Sequence, residues 1–150
     1  MSALIKKNLI FVNCSFTNRD EILSFLANKA EAEGFVKDKQ AYQQAVLARE
    51  KEISTAIGYD LAIPHGKSDT VETAFILFMR LQKPIRWTKE NEHEVRMIFM
   101  LGIPSEGSED MHLRILAKIS RNLMHDDFRE QLLNSNDSEG IYELLNGIEF

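Results

Sequence analysis

Cysteine is nearly absent from this 150-residue chain. Cys14 is the only one, so no disulfide can close within the chain and no cysteine cluster can hold a metal. Such a sequence suits a reducing compartment, and the expected location is cytoplasmic. An excess of basic charge is also missing: 18 Lys and Arg stand against 23 Asp and Glu, for a net charge of −5. A nucleic-acid binder needs a basic face to neutralise phosphates, so this balance argues against one. Long apolar runs are lacking too. The charge-free stretch "TAFILFM" near the middle falls far short of the roughly 20 residues that span a bilayer. The N-terminal "NLIFVNCSF", after Lys6 and Lys7, has no signal-peptidase site.

Several catalytic signatures are absent as well. There is no G-x-x-x-x-G-K-[ST], no G-x-G-x-x-G, no kinase signature and no G-x-S-x-G elbow. The four histidines, His65, His93, His112 and His125, are separated by 28, 19 and 13 residues. None of those spacings is a metal-ligand pair. Neither a metal nor a cofactor is expected. Cys14, at the end of an apolar strand, reads as a small buried hydrophobe.

What is present is an ordinary globular composition, 44% hydrophobic and 27% charged, long enough for one domain over 1–150. "LIFV" (9–12) reads as a first strand. A helix follows from Asn18, which has capping-box spacing to Glu21, and stops at Gly34. Asp38 caps a second helix through Tyr42, Val46 and Arg49. The helical period is lost over "EISTAIGYD", and "LAIP" suits a short strand with His65 at its end. Residues 73–81 and 94–104 are apolar runs of the kind found in strands buried on both faces, joined by the polar loop "QKPIRWTKENEH". A helix spans about 109–124, and "DFREQLLNS" and "SEGIYELLNGI" form two more. Interleaved strands and helices predict a three-layer α/β/α sandwich around a central mixed β-sheet.

The unusual stretch is "DLAIPHGKSD" (60–69). Pro64 fixes its own φ and favours an extended Ile63, while Gly66 permits a turn and adds no side chain beside the imidazole. His65 is therefore expected to be stiffly held and sterically open. With no metal, nucleotide loop or serine elbow near it, the chemistry left is histidine as a covalent carrier. His112 lies in the first turns of a helix, where free amides favour an anion. Taken alone, it reads more simply as a half-buried structural histidine. Arg49 at a helix C-terminus either complements the helix dipole or offers its forked donors to a phosphoryl group. His93 and His125 read as solvated.

"AREKEISTAIGYDLAIPHGKSD" and the later "MHLRILAKIS" resemble, in order and spacing, the active-site segments of the fructose–mannitol family of enzyme IIA. That family belongs to the bacterial phosphoenolpyruvate-dependent sugar phosphotransferase system. The resemblance runs from about residue 9 to 145, and the combination of an arginine, "IPHG" and "HLRIL" is specific to it. Ala56 departs from the glycine many members carry there, without removing a chemical group. The resemblance implies that His65 is the phosphorylated nucleophile, flanked by Arg49 and His112. It implies phospho-HPr as donor, a cysteine of enzyme IIB as acceptor, an indirect link to the membrane permease enzyme IIC, and a monomer or weak dimer. Two roles follow from it: fructose- or mannitol-type sugar uptake first, and as the alternative a regulatory phosphoprotein of the nitrogen-related enzyme IIA type.

Overall fold

The computed structural model describes residues 4–89, 93–106 and 109–148. A 3-10 turn, Lys7–Leu9, leads into β1 (Ile10–Cys14), α1 (Arg19–Ala32) and α2 (Lys39–Glu52). Three short strands follow: β2 (Ala56–Gly58), β3 (Leu61–Ala62) and β4 (His65–Ser68). The long strands β5 (Phe75–Arg86) and β6 (Glu94–Pro104) precede α3 (Glu109–Leu123), α4 (Asp126–Asn134) and α5 (Ser138–Asn146).

The helix starts follow the predicted caps. Asn18 accepts from the Glu21 N–H at 2.9 Å, and Asp38 accepts from the Gln40 and Ala41 N–H groups at 3.0 and 3.3 Å. The capping box at Asn18 is only half formed, since the Glu21 carboxylate accepts from Thr17 Oγ1 at 3.3 Å.

The sheet runs in the order β1-β5-β6-β3-β2, with β4 also paired to β6. Parallel pairs (β1 with β5, β3 and β4 with β6) and antiparallel pairs (β5 with β6, β2 with β3) make it mixed. Residues Phe75–Leu81 and Met97–Ile103 are all buried. Their alternation divides the core in two. Phe75, Leu77, Met79, Ile98 and Met100 pack under α1 and α2, with Leu26, Tyr42 and Val46. Ile76, Phe78, Met97, Phe99 and Leu101 pack under α3, α4 and α5, with Ile115, Ile119, Leu132 and Ile141. This is the expected α/β/α sandwich.

Two expectations need correction. The loop starting at Gln82 is instead strand as far as Arg86, because the antiparallel ladder breaks between Arg80 and Ile85 and then resumes with Ile85 opposite Val95. Pro84 is tolerated inside that break, where no ladder N–H is required of it. Positions 90–92 of the same loop, and 107–108 of the later one, lie outside the described residues. The "LAIP" strand is in fact two short strands laid in line on β6 and interrupted at Ile63 and Pro64, so His65 begins the second rather than ending the first. Arg80 is buried within the apolar strand β5. Its Nη1 donates to the carbonyls of Leu132, Leu133 and Ser135 at 2.8, 3.3 and 2.6 Å, closing the C-terminus of α4.

One glycine sets the spacing of the central strands. Gly102 stands opposite Phe75 in the ladder, and a Cβ on it would lie 2.1 Å from Phe75 Cε2. Gly102→Ala is expected to lower unfolding free energy by about 1–3 kcal/mol, because the ring is enclosed and cannot yield freely. Urea denaturation measures the loss, and adding Phe75→Leu should recover part of it.

Candidate active site

Strand alternation places the key histidine. In β4, Gly66 turns towards α2, where a Cβ would meet Val46 Cγ2 at 2.8 Å and the Val46 nitrogen at 3.2 Å. Its neighbour His65 therefore turns to the opposite face of the sheet, towards α3. There its ring lies 5.0 Å, centroid to centroid, from that of His112, with the planes tilted by 54°. Gly66 thus serves a close approach of helix to strand. The expected open flank is not what it provides, and His65 is only 8% exposed. The imidazole is held in a recess: His65 and Gly66 are buried, whereas Lys67 and Ser68 of the same strand reach the surface.

His65 Nδ1 lies 2.9 Å from the Ile63 carbonyl oxygen. A carbonyl can only accept, so Nδ1 carries the proton and Nε2 keeps its lone pair in the neutral ring. Pro64 holds the geometry from the other side: its carbonyl accepts from the Leu101 N–H at 2.9 Å, and His65 pairs with Leu101 across the ladder. Stiffness, the other half of the sequence expectation, is present.

The electrostatics favour neutral imidazoles. Burial pushes the His65 pKa below its ordinary value of 6.5, and the Arg49 charge adds to this; the Ile63 carbonyl, Glu50 and Glu52 pull the other way. His112 is likewise lowered, first by burial and then by His65, Lys67 and Arg49. Arg49 is close enough to act on both rings, and its Nη1 donates to the Ile53 carbonyl at 2.8 Å. The structure thus gathers the three predicted residues, His65, His112 and Arg49, from β4, α3 and the last turn of α2. His112 Nε2 is buried without a hydrogen-bond partner. An orphaned polar atom on a ring 5.0 Å from that of His65 leaves hydrogen-bonding capacity that nothing among the described residues satisfies.

His93 and His125 are exposed, as expected. Cys14 is half buried beside the core under α1 and α2, and burial raises its thiol pKa, which makes it a weak nucleophile. Among the described residues, no group of three or more His, Cys, Asp or Glu side chains could hold a metal ion. No described helix is long and apolar enough to cross a membrane.

Sequence reasoning passed over two neighbours of the site. Lys67 follows His65 on the same face of β4 and acts on His112. Glu50 is buried. The signal for Glu50 was available: Tyr42, Val46 and Glu50 recur every four residues on the buried face of α2, so a carboxylate occupies the place of a core residue.

Residues 3–148 match the family model for the phosphoenolpyruvate-dependent sugar phosphotransferase system, EIIA 2. The chain is 32% identical over 145 residues to the PTS system fructose-specific EIIA component of Haloferax volcanii, covering 97% of this chain and 94% of that protein. It is 37% identical over 142 residues to a nitrogen regulatory protein of Bradyrhizobium diazoefficiens, covering 95% and 92%. Some other relatives are much longer, and the chain spans only 17% and 23% of two of them. Among solved structures, nitrogen regulatory protein IIA-Ntr from Neisseria meningitidis is similar with a TM-score of 0.86 at 25% identity, over 95% of this chain and 96% of that one. The chain therefore belongs to the second enzyme IIA family of the phosphoenolpyruvate-dependent sugar phosphotransferase system, and its activity is that of a phosphoryl carrier.

Proposed function

We propose that His65 Nε2 is the atom that accepts the phosphoryl group, with Arg49 and His112 holding the oxygens. The observation that carries this reading is the bond from His65 Nδ1 to the Ile63 carbonyl, which leaves Nε2 as the nucleophile beside the orphaned nitrogen of His112. In the transfer, Nε2 forms a bond to phosphorus as the bond to the donor histidine of phospho-HPr breaks in line with it. Positioning and charge stabilisation supply the catalysis. As Nε2 gives up its lone pair, the ring becomes cationic, and the Ile63 carbonyl then accepts a charge-assisted hydrogen bond from Nδ1–H. Arg49 offsets charge on the phosphoryl oxygens. Exposed apolar side chains near the two flanking residues, Ile53 (68%) and Leu113 (67%), offer a brief apolar contact to a protein partner.

Of the two roles the family performs, the regulatory one is favoured here over sugar uptake. The 37% identity to the nitrogen regulatory protein exceeds the 32% to the fructose-specific component. The fit to IIA-Ntr points the same way. In this role the chain takes its phosphoryl group from phospho-HPr or a similar carrier and reports that state by binding a target. Transfer on to enzyme IIB would be slow. Mixing the phosphorylated chain with fructose-type enzyme IIB separates the roles: persistence of the phosphohistidine fits regulation, and rapid labelling of an enzyme IIB cysteine restores the uptake role.

His65→Ala should abolish acid-labile, alkali-stable labelling from phosphoenolpyruvate, enzyme I and HPr. Surviving label would defeat the assignment. His112→Ala and Arg49→Lys should each slow acceptance by roughly 100- to 1,000-fold with unchanged thermal melts, because each loses a contact made in the transition state. A lysine cannot reproduce the planar fork. His112→Gln, which keeps a donor, should be milder.

Only neutral His65 is nucleophilic. Its pKa is lowered, so acceptance should be flat through neutral pH and fall on acidification with a midpoint below 6.5. A rate that instead rises as pH falls through that range would contradict the assignment. Rapid-quench measurements with phospho-HPr across pH provide the profile.

A further inference from the structure

The last turn of α2 carries a carboxylate that the transfer chemistry above does not use. Glu50 is 5% exposed, a setting in which an unpaired carboxylate would be costly. It is fully occupied. Oε1 accepts from the Trp87 indole Nε1–H at 3.1 Å and from the Thr55 backbone N–H at 3.2 Å. Oε2 accepts from the Thr55 hydroxyl. Three donors from two other segments converge on it, and a carboxylate, which accepts at both oxygens, suits all three. A glutamine would put an NH2 group in place of one acceptor, and the Thr55 hydroxyl would have to turn and accept from it.

Thr55 passes this constraint onward. Its carbonyl accepts from the Ile63 N–H at 3.1 Å, and the Ile63 carbonyl in turn accepts from His65 Nδ1–H at 2.9 Å. The same short loop contains Ile53, whose carbonyl receives Arg49 Nη1 at 2.8 Å. One carboxylate therefore stands behind two branches, the first ending on His65 and the second on Arg49. Glu50 also acts on His65 through space, opposing the effect of Arg49.

We infer that Glu50 is a positioning residue for phosphoryl transfer: by gathering Thr55 and Trp87 it fixes the loop whose hydrogen bonds orient His65 and Arg49. The inference rests on the reading of His65 as the acceptor. It differs from a purely structural role, in which loss of the carboxylate would cost stability and leave the orientation of His65 and the transfer rate untouched.

Glu50→Gln in the full chain tests it, with Thr55→Val as a second variant that removes the hydroxyl donor but keeps the backbone N–H. Three readouts are taken. Nitrogen-15 NMR of the imidazole reports the His65 tautomer without any phosphoryl group. Emission of Trp87, the only tryptophan, reports whether the indole still meets its acceptor. Rapid-quench kinetics with phospho-HPr give rate against pH.

Glu50→Gln should leave His65 divided between tautomers and shift the Trp87 emission. Acceptance should slow about 10- to 100-fold, as expected for a misplaced reacting group. Its acid midpoint should move lower, since a charge that raises the His65 pKa has gone. Thr55→Val should move the tautomer and rate in the same direction by less. A folded Glu50→Gln with one His65 tautomer and wild-type transfer overturns the inference. If Glu50→Gln does not fold, wild-type tautomer and rate in Thr55→Val overturn it equally. Should His65→Ala still accept phosphate, the acceptor assignment fails by itself, and the tautomer readout still decides whether Glu50 holds His65.

Discussion

The seating of β4 on β6 at Leu101 is the constraint on which the site depends. Leu101 pairs with His65 across the ladder, its N–H donates to the Pro64 carbonyl at 2.9 Å, and its own carbonyl receives the buried Tyr42 hydroxyl at 2.6 Å. Tyr42 begins a face of α2 that continues through Val46, packed over Gly66, to Arg49 in the last turn. Positions i, i+4 and i+7 share one side of a helix. Anchoring the first two against β6 and β4 therefore delivers the third to the mouth of the site. A shift of β4 by one residue would turn His65 away from α3 and place Pro64 or Gly66 in its stead.

The charge pattern follows from the same packing. Burial alone disfavours an imidazolium, and a neighbouring arginine adds to the effect at both His65 and His112. The result is a cation with two neutral rings, one with a lone pair at Nε2 and the other with an unmatched nitrogen. Such a site is incomplete by itself. In the proposed reading an incoming phosphoryl group brings the negative charge and acceptor oxygens that it lacks, which is how a site can favour a transition state without tightly binding a free protein.

Much of this was legible in the sequence because local rules governed it. Asn18 and Asp38 announced their helices, and the apolar runs at 73–81 and 94–104 announced the central strands. Arg49, His65 and His112 were legible through the arginine–"IPHG"–"HLRIL" pattern. What escaped was tertiary. That Gly66 answers to Val46 rather than to an approaching partner depends on a helix 20 residues earlier in the chain. That strand continues past Pro84 depends on a break in pairing with β6. The burial of His65 depends on α3 covering the sheet. Arg80 and Glu50 look like surface charges by type; each is buried because carbonyls or donors from distant segments meet it.

A recessed histidine also bears on how phosphorylation is read by other proteins. In the proposed reading the added group carries about −1.5 to −2 charges at neutral pH, set into a site that feels the charges of Arg49 and Lys67. The sheet beneath has no slack through which to respond: β4 is tied by backbone hydrogen bonds to β6, and Val46 leaves no room above Gly66. The change is therefore chiefly electrostatic and local, a change of charge in a site whose chain neighbours include the exposed apolar side chains Ile53 and Leu113. Apolar contact supplies affinity with little dependence on that sign, whereas the charge at the centre discriminates. A partner built with a cation opposite His65 selects the phosphorylated form, and one built with a carboxylate there selects the free form. In that reading the same rigid scaffold serves donor, acceptor or regulated target, according to the charge that each brings opposite His65.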